Sequence, residues 1–211
     1  MLKNDEILVI GKIGPKVSVA LSKNNGKIKF LGSQSLLTLS VYRVNFYFND
    51  TNDLVKIKES KFLYSFYPLV KNYQKYKAVS NVFRIINEIF PSFFESEKIY
   101  EITLNYLKAL LEENEDIEKL YAFWIYNILW ILDEINHILF CKSCGSNLIK
   151  TYKIGEGSFC LSCRRKGDFE FETFELELIE NMFKLNFENI KKIDFDVKKF
   201  ITIFEDVIFG I

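Results

Sequence analysis

The four cysteines of this 211-residue chain fall into two pairs, Cys141-Lys142-Ser143-Cys144 and Cys160-Leu161-Ser162-Cys163, fifteen residues apart. Two residues between cysteines let both sulfurs of a tight turn point at one ion, and a second such turn completes a tetrahedron. Gly145 follows the first pair, where the turn needs a residue that tolerates positive φ. The spacing predicts a zinc-ribbon-like segment over 141–166, with Cys141, Cys144, Cys160 and Cys163 holding a structural Zn2+ and a short hairpin between the pairs. Two disulfides, or four unrelated thiols, are the alternatives. The N-terminus lacks the apolar stretch of a secretory signal, which points to a cytoplasmic chain whose thiols stay reduced. Four protein ligands leave no coordination position for an activated water. His137, the only histidine, lies one helical turn before Cys141 and is expected to be partly buried or capping, not a ligand.

The first sixty residues have the periodicity of short strands. Ile7 to Ile10 is an apolar run closed by Gly11, with Gly14-Pro15 as a turn. Val17, Val19 and Leu21 alternate with Ser18, Ala20 and Ser22, and Asn24-Asn25-Gly26 turns the chain into a strand with Ile28 and Phe30 inward and Lys27 and Lys29 outward. From Leu39 to Phe48 the alternation changes register, which predicts a bulge near Tyr42–Arg43. Asn49 to Asp53 is a turn, and Val55 and Ile57 alternate with Lys56 and Lys58. Short strands with a mid-strand bulge suit a small closed barrel of OB type.

From about Tyr73 the period becomes helical, with Pro91 stopping the first segment. A second helix is expected near 97–111, and a third from about Ile117 to Phe140. The middle of the third, Leu120 to Leu132, is apolar nearly all round and includes Trp124 and Trp130, as a buried central helix would be. Phe174–Phe183 and Val197–Ile208 are two further amphipathic segments. The fold class that follows is α+β: an N-terminal OB-fold β-barrel over 1–67, then an α-helical domain over 68–211 that carries the four-cysteine insertion. The longest apolar run is too short to cross a bilayer, so no membrane partner is expected.

The 28 basic and 28 acidic residues balance, but unevenly along the chain. Residues 1–75 hold 12 basic and 5 acidic side chains and residues 141–167 hold 6 and 1; the two remaining blocks hold 5 and 11 each. A near-neutral total therefore conceals basic blocks suited to a polyanion. Lys12, Lys16, Lys23, Lys27, Lys29, Arg43, Lys56 and Lys58 lie on outward or loop positions of the expected barrel. Tyr42 and Tyr47 could stack on bases there. Arg164, Arg165 and Lys166 follow the last cysteine, where they could meet phosphates or serve only as solubilising charge. No phosphate-cradling glycine loop, nucleophile elbow or paired-carboxylate spacing stands out, so the expectation is a protein without enzymatic activity.

The order of barrel, helices and late cysteine pairs resembles the bacterial RecO family of recombination mediators. The resemblance rests on a strand ending near Gly11, a turn with Gly26, Gly32 after the third strand, Ser40, Asn87-Glu88-Ile89-Phe90, the Cys141–Gly145 motif and Gly157 shortly before Cys160. It implies a non-enzymatic, nucleoid-associated protein of DNA repair. Such a protein binds single- and double-stranded DNA, anneals complementary strands, and works with a RecR-like partner to load RecA onto DNA coated by single-strand-binding protein, whose acidic tail is a further partner. The family places Arg and Lys beside the glycine after the third strand. Here Gly32-Ser33-Gln34-Ser35 is uncharged, which shifts the expected contact to Lys27, Lys29 and Arg43. A scaffold that binds only proteins is the competing reading, and a nucleic-acid-processing enzyme is a third.

Overall fold

The computed structural model describes residues 2–13, 16–31, 36–48, 54–94, 97–113, 115–163 and 168–210. The turns expected at Gly14-Pro15 and Asn49–Asp53, and the uncharged stretch 32–35, lie outside them. The protein is of mixed α+β class and divides into two compact units, Met1–Glu113 and Asn114–Ile211. The change of period at about Tyr73 is a change of secondary structure inside the first unit, which runs on through two helices to Glu113.

Five strands build the first unit: β1 (Leu2–Ile13), β2 (Val17–Ser22), β3 (Gly26–Leu31), β4 (Ser40–Phe48) and β5 (Leu54–Ser65). β1 pairs antiparallel with β2 and β4, β2 with β3, and β4 with β5. A short parallel pairing of β3 with β5, Lys29 opposite Leu54 and Phe30 opposite Val55, closes the ring in the order β1-β2-β3-β5-β4. Ile7, Val9, Ala20, Ile28, Phe30, Tyr42, Val44 and Phe46 fill its interior, as alternation along each strand requires. The expected irregularity near Tyr42 exists, but its extra residues sit on the partner. β4 alternates regularly at Tyr42, Val44 and Phe46, while β5 spends two residues against one at Leu63 and at Lys58. Tyr42 is consequently a core residue, and its hydroxyl accepts from the Leu37 N–H at 3.1 Å.

The β2–β3 turn is held from β1. The buried Asp5 carboxylate accepts from the Ser22 hydroxyl, from the Asn24 N–H and side chain, and from the Asn25 side chain. After a 3-10 turn (Tyr67–Lys71), α1 (Tyr73–Ile89) starts at Asn72, whose side chain accepts from the N–H groups of Gln74 and Lys75. It stops where Phe90, preceding Pro91, is forced into extended backbone. α2 (Glu97–Glu112) lies against β2 and β3, and its Tyr100 hydroxyl donates to Glu6 at 3.2 Å.

The second unit is organised on α3 (Ile117–Ile131), whose Phe123, Trp124, Ile125 and Tyr126 are buried. Phe123 meets Phe187 edge-on at 5.0 Å, and Tyr126 lies 5.9 Å from Phe204. The helix does not continue to Phe140. It ends at Ile131, Asp133 takes positive φ (61°), and a single turn, α4 (Asn136–Leu139), follows. Trp130 therefore sits at a helix end, 44% exposed, stacked on Phe183 with centroids 4.7 Å apart. Next come β6 (Ile149–Lys153), β7 (Gly157–Cys160) and β8 (Phe169–Glu170), in a three-stranded sheet of order β7-β6-β8. α5 (Thr173–Asn181), a 3-10 turn (Met182–Lys184), α6 (Phe187–Ile190) and α7 (Val197–Gly210) complete the unit. The buried Glu175 of α5 closes a capping box with Glu172 and meets the Lys199 ammonium of α7 at 2.5 Å. No helix among the described residues is long and apolar enough to cross a membrane.

Candidate metal centre and basic surfaces

The cysteine spacing does locally what it requires. In the first pair the Gly145 N–H returns to the Cys141 carbonyl at 2.8 Å, with Gly145 at φ +72°, while the Cys141 N–H donates to Ser146 at 2.7 Å. This is a closed knuckle that turns both sulfurs to one side. The β6–β7 hairpin brings the second pair back, and the Lys142 N–H donates to Ser158 across the gap at 2.9 Å. Ser158 is buried and gives its hydroxyl proton to the Ile138 carbonyl at 2.7 Å, which fixes β7 against the end of α4.

The four cysteine sulfurs all lie within 4.8 Å of one another, those of Cys144 and Cys160 3.6 Å apart, and none is in a disulfide. A tetrahedron of thiolates at about 2.3 Å from a central ion has edges of about 3.8 Å. The cluster therefore has the size and donor set to hold a metal ion. Backbone N–H groups reinforce it: that of Cys160 first, then, against the cost of desolvation, those of Cys144 and Ser143 hold the Cys141 thiol down to about 6. Sulfur contacts with Cys144 and Cys160 push Cys163 the other way, up to about 12. Four thiols this close cannot all ionise by themselves, and a central cation removes that conflict. His137 lies outside this cluster, and the partial burial expected of it as one alternative to capping is not found. Its ring is 67% exposed and lies 3.0 Å from Glu134.

A second-unit feature invisible in sequence is the clasp at Asp206 on α7. Its carboxylate accepts from the buried Tyr152 hydroxyl at 2.7 Å and from the Gly155 N–H at 2.9 Å, tying the hairpin to the helical core. Burial first, and the Asp206 carboxylate second, raise the Tyr152 pKa, so the hydroxyl stays a donor. An open cleft of about 290 Å³ lies beside this clasp. Its carboxylates are engaged: Glu134 with His137, Glu156 with Lys153, and Asp206 as described.

The basic positions of the barrel separate into three kinds. Lys12 and Lys16, at the β1–β2 end, are exposed, as are Lys56 and Lys58 on β5. Arg43 faces outward but lies 3.5 Å from Glu6, and Lys29 is half-buried. Lys27 departs from the expected solvent-facing cation. It is 7% exposed, and its ammonium donates to the Asn87 carbonyl in the last turn of α1 at 2.7 Å. Those last-turn carbonyls have no partner within the helix, and a cation there meets the negative end of its dipole. Burial, and then neighbouring Lys29, lower the Lys27 pKa. Of the two aromatic candidates, Tyr47 is exposed beside Lys56 across the strand, and Tyr42 is core. Arg164, Arg165 and Lys166 lie outside the described residues.

No protein-family model matches this chain, and no curated protein is significantly similar to it.

Proposed function

We propose that the chain is a non-enzymatic DNA-binding protein of the RecO type: an OB-fold barrel joined to a helical unit whose four cysteines hold a structural Zn2+. In this role it binds single- and double-stranded DNA and anneals complementary strands. With a RecR-like partner it helps RecA onto DNA coated by single-strand-binding protein, whose acidic tail is a further contact. The observation that carries the reading is the strand order β1-β2-β3-β5-β4 with a parallel closing pair, the connectivity of a five-stranded Greek-key barrel of the kind that holds oligonucleotides. Exposed lysines at Lys12, Lys16, Lys56 and Lys58 support it, as does exposed Tyr47. The four-sulfur cluster supports the zinc assignment, because an all-thiolate tetrahedral shell suits Zn2+ and leaves no open position for chemistry.

The test is fluorescence anisotropy of the full chain on a labelled single-stranded oligonucleotide across a salt series, followed by an annealing assay. Binding should fall with salt at a slope of about −0.7 per neutralised phosphate. Annealing should accelerate with no change in the strands themselves. Charge reversal at Lys12, Lys16, Lys56 and Lys58 should weaken binding more than reversal at Lys192 and Lys198. Absence of binding at low salt would refute the proposal.

A further inference from the structure

In the first unit, exposed aromatic rings and cations alternate without acid from the end of β5 into α1. Between Ser60 and Asn87 the chain carries five basic residues and no Asp or Glu. Two of the five are occupied. Lys75 is buried with its ammonium 3.4 Å from the Leu111 carbonyl, and Arg84 pairs with Glu88 at 3.6 Å. The other three, Lys61, Lys71 and Lys77, are exposed.

Five exposed rings accompany them: Tyr73 is 76% exposed, Tyr67 61%, Phe62 52%, Tyr76 48% and Tyr64 37%. Rings left in water to this extent gain little from the fold, and Tyr67, Tyr73 and Tyr76 fall within ten residues, with Lys71 and Lys77 among them. Their placement is fixed locally. Asn72 caps α1, so Tyr73, Tyr76 and Lys77, at positions i, i+3 and i+4, share a face. The opposite face of the same turns buries Lys75, Ala78, Val79 and Val82. Tyr67 belongs to the 3-10 turn packed against α1, and Lys71 ends that turn. Phe62 stands opposite the inward-facing Tyr42, ring edge-on at 5.6 Å, and so is on the other face of β5 from Lys61, which stands opposite the outward-facing Arg43.

We infer that this strip, from Lys61 through the 3-10 turn to Lys77, is a stacking platform for a single-stranded polynucleotide. Tyr67, Tyr73 and Tyr76 meet base faces, and Lys61, Lys71 and Lys77 meet phosphates. The inference deepens the DNA-binding reading and rests on it, but it moves the principal contact from the barrel lysines to the helix-side strip. The chemistry selects the occupant. Lysine is depleted in protein–protein interfaces, where burying it is costly, and here it is interleaved with the rings. Planar rings beside exposed cations match a ligand of alternating bases and phosphates, and stacking tolerates any base because each has a π face.

The test uses the full chain and fluorescein-labelled oligo(dT). Tyr73→Ala/Tyr76→Ala should weaken binding about 5- to 150-fold for each stacked base lost, whereas Tyr73→Phe/Tyr76→Phe should bind as the parent does. Lys61→Gln/Lys71→Gln/Lys77→Gln should flatten the logarithmic salt slope by about 2. Melting temperatures should stay unchanged, since these side chains are exposed. If the parent binds and both the alanine and glutamine variants bind equally well, this inference falls and the DNA-binding reading stands. If the parent does not bind, both fall. Failure to bind together with self-association that Tyr73→Ala/Tyr76→Ala abolishes would assign the strip to a second copy of the chain and overturn the inference.

Discussion

Gly26 is the position where one methyl group should be most damaging to the first unit. It begins β3 at φ +64°, and a Cβ there would lie 1.8 Å from the Phe94 carbonyl oxygen and 2.5 Å from its carbon. The left-handed backbone costs an L-residue about 1–2 kcal/mol. The clash cannot be relieved by a rotamer change, because the obstacle is main chain. Segment 91–94 would have to move away, yet the Phe93 N–H donates to the Lys27 carbonyl at 2.8 Å and the Lys27 ammonium reaches back to Asn87. Losing one such bond and leaving a buried group unpaired costs about 1–3 kcal/mol. Gly26→Ala should therefore cost about 2–5 kcal/mol, a large fraction of the stability of an ordinary domain. The assay is urea unfolding followed by far-ultraviolet circular dichroism. Gly11→Ala is the internal control: nothing lies within 4 Å of a Cβ there, so it should stay within about 0.5 kcal/mol of the parent. A cost at Gly26 below about 1 kcal/mol would show that segment 91–94 yields freely, and would refute the account of how that segment is docked.

Three further outcomes concern the second unit. Cys141→Ser, Cys163→Ser or complete chelation should lower its melting temperature by at least about 10 °C, since metal binding is coupled to folding and a unit of this size loses about 4–8 °C per kcal/mol. Affinity for the metal should also rise with pH above about 6, where the Cys141 thiol ionises, because the remaining protons must leave on binding. Unchanged melting after metal removal would refute the structural role, and affinity independent of pH would refute the thiolate account. Tyr152→Phe should cost about 1.5–3 kcal/mol in urea unfolding, as it removes a hydrogen bond to the Asp206 carboxylate, and a loss below about 0.5 kcal/mol would show the clasp to be dispensable.

What the sequence makes legible is what its local chemistry decides. The cysteine pairs need only a tight turn and a returning hairpin, both encoded within twenty-three residues, and the sulfurs converge accordingly. Asn24-Asn25-Gly26 turns the chain where its composition says it should, and Pro91 ends α1. What stays hidden is decided by partners distant in the chain. Alternation puts Lys27 outside the barrel, and it is outside; no local pattern indicates that the last turn of α1 covers it. Trp130 has the hydropathy of a core residue, but α3 ends one residue later at a turn through Asp133. His137, in the following turn, is carried out to solvent by the same break. Asp206 and Tyr152 are 54 residues apart, and neither stands in a motif.

The same distinction changes how the basic N-terminal block should be understood. Charge counting treats its cations as equivalent, whereas the structure gives several of them internal duties. Lys27 and Lys75 each serve a carbonyl at the C-terminal end of a helix, Asn87 in α1 and Leu111 in α2. Lys23 pairs with Glu97, Arg43 with Glu6, and Lys3 donates to the Asn25 side chain. A cation that satisfies an orphan carbonyl is part of the fold, so its removal reports on stability before it reports on any ligand. Lys12 and Lys16 remain exposed at the β1–β2 end, and Lys56, Lys58, Lys61 and Lys71 are exposed within sixteen residues of one another, with Lys77 six residues further on. The larger share of the block's outward charge thus lies along β5 and the turn before α1. A mutagenesis series chosen by alternation would begin at Lys27 and mistake unfolding for lost binding. One chosen from the structure begins at Lys61, Lys71 and Lys77, where a change in affinity without a change in melting can be ascribed to the surface itself.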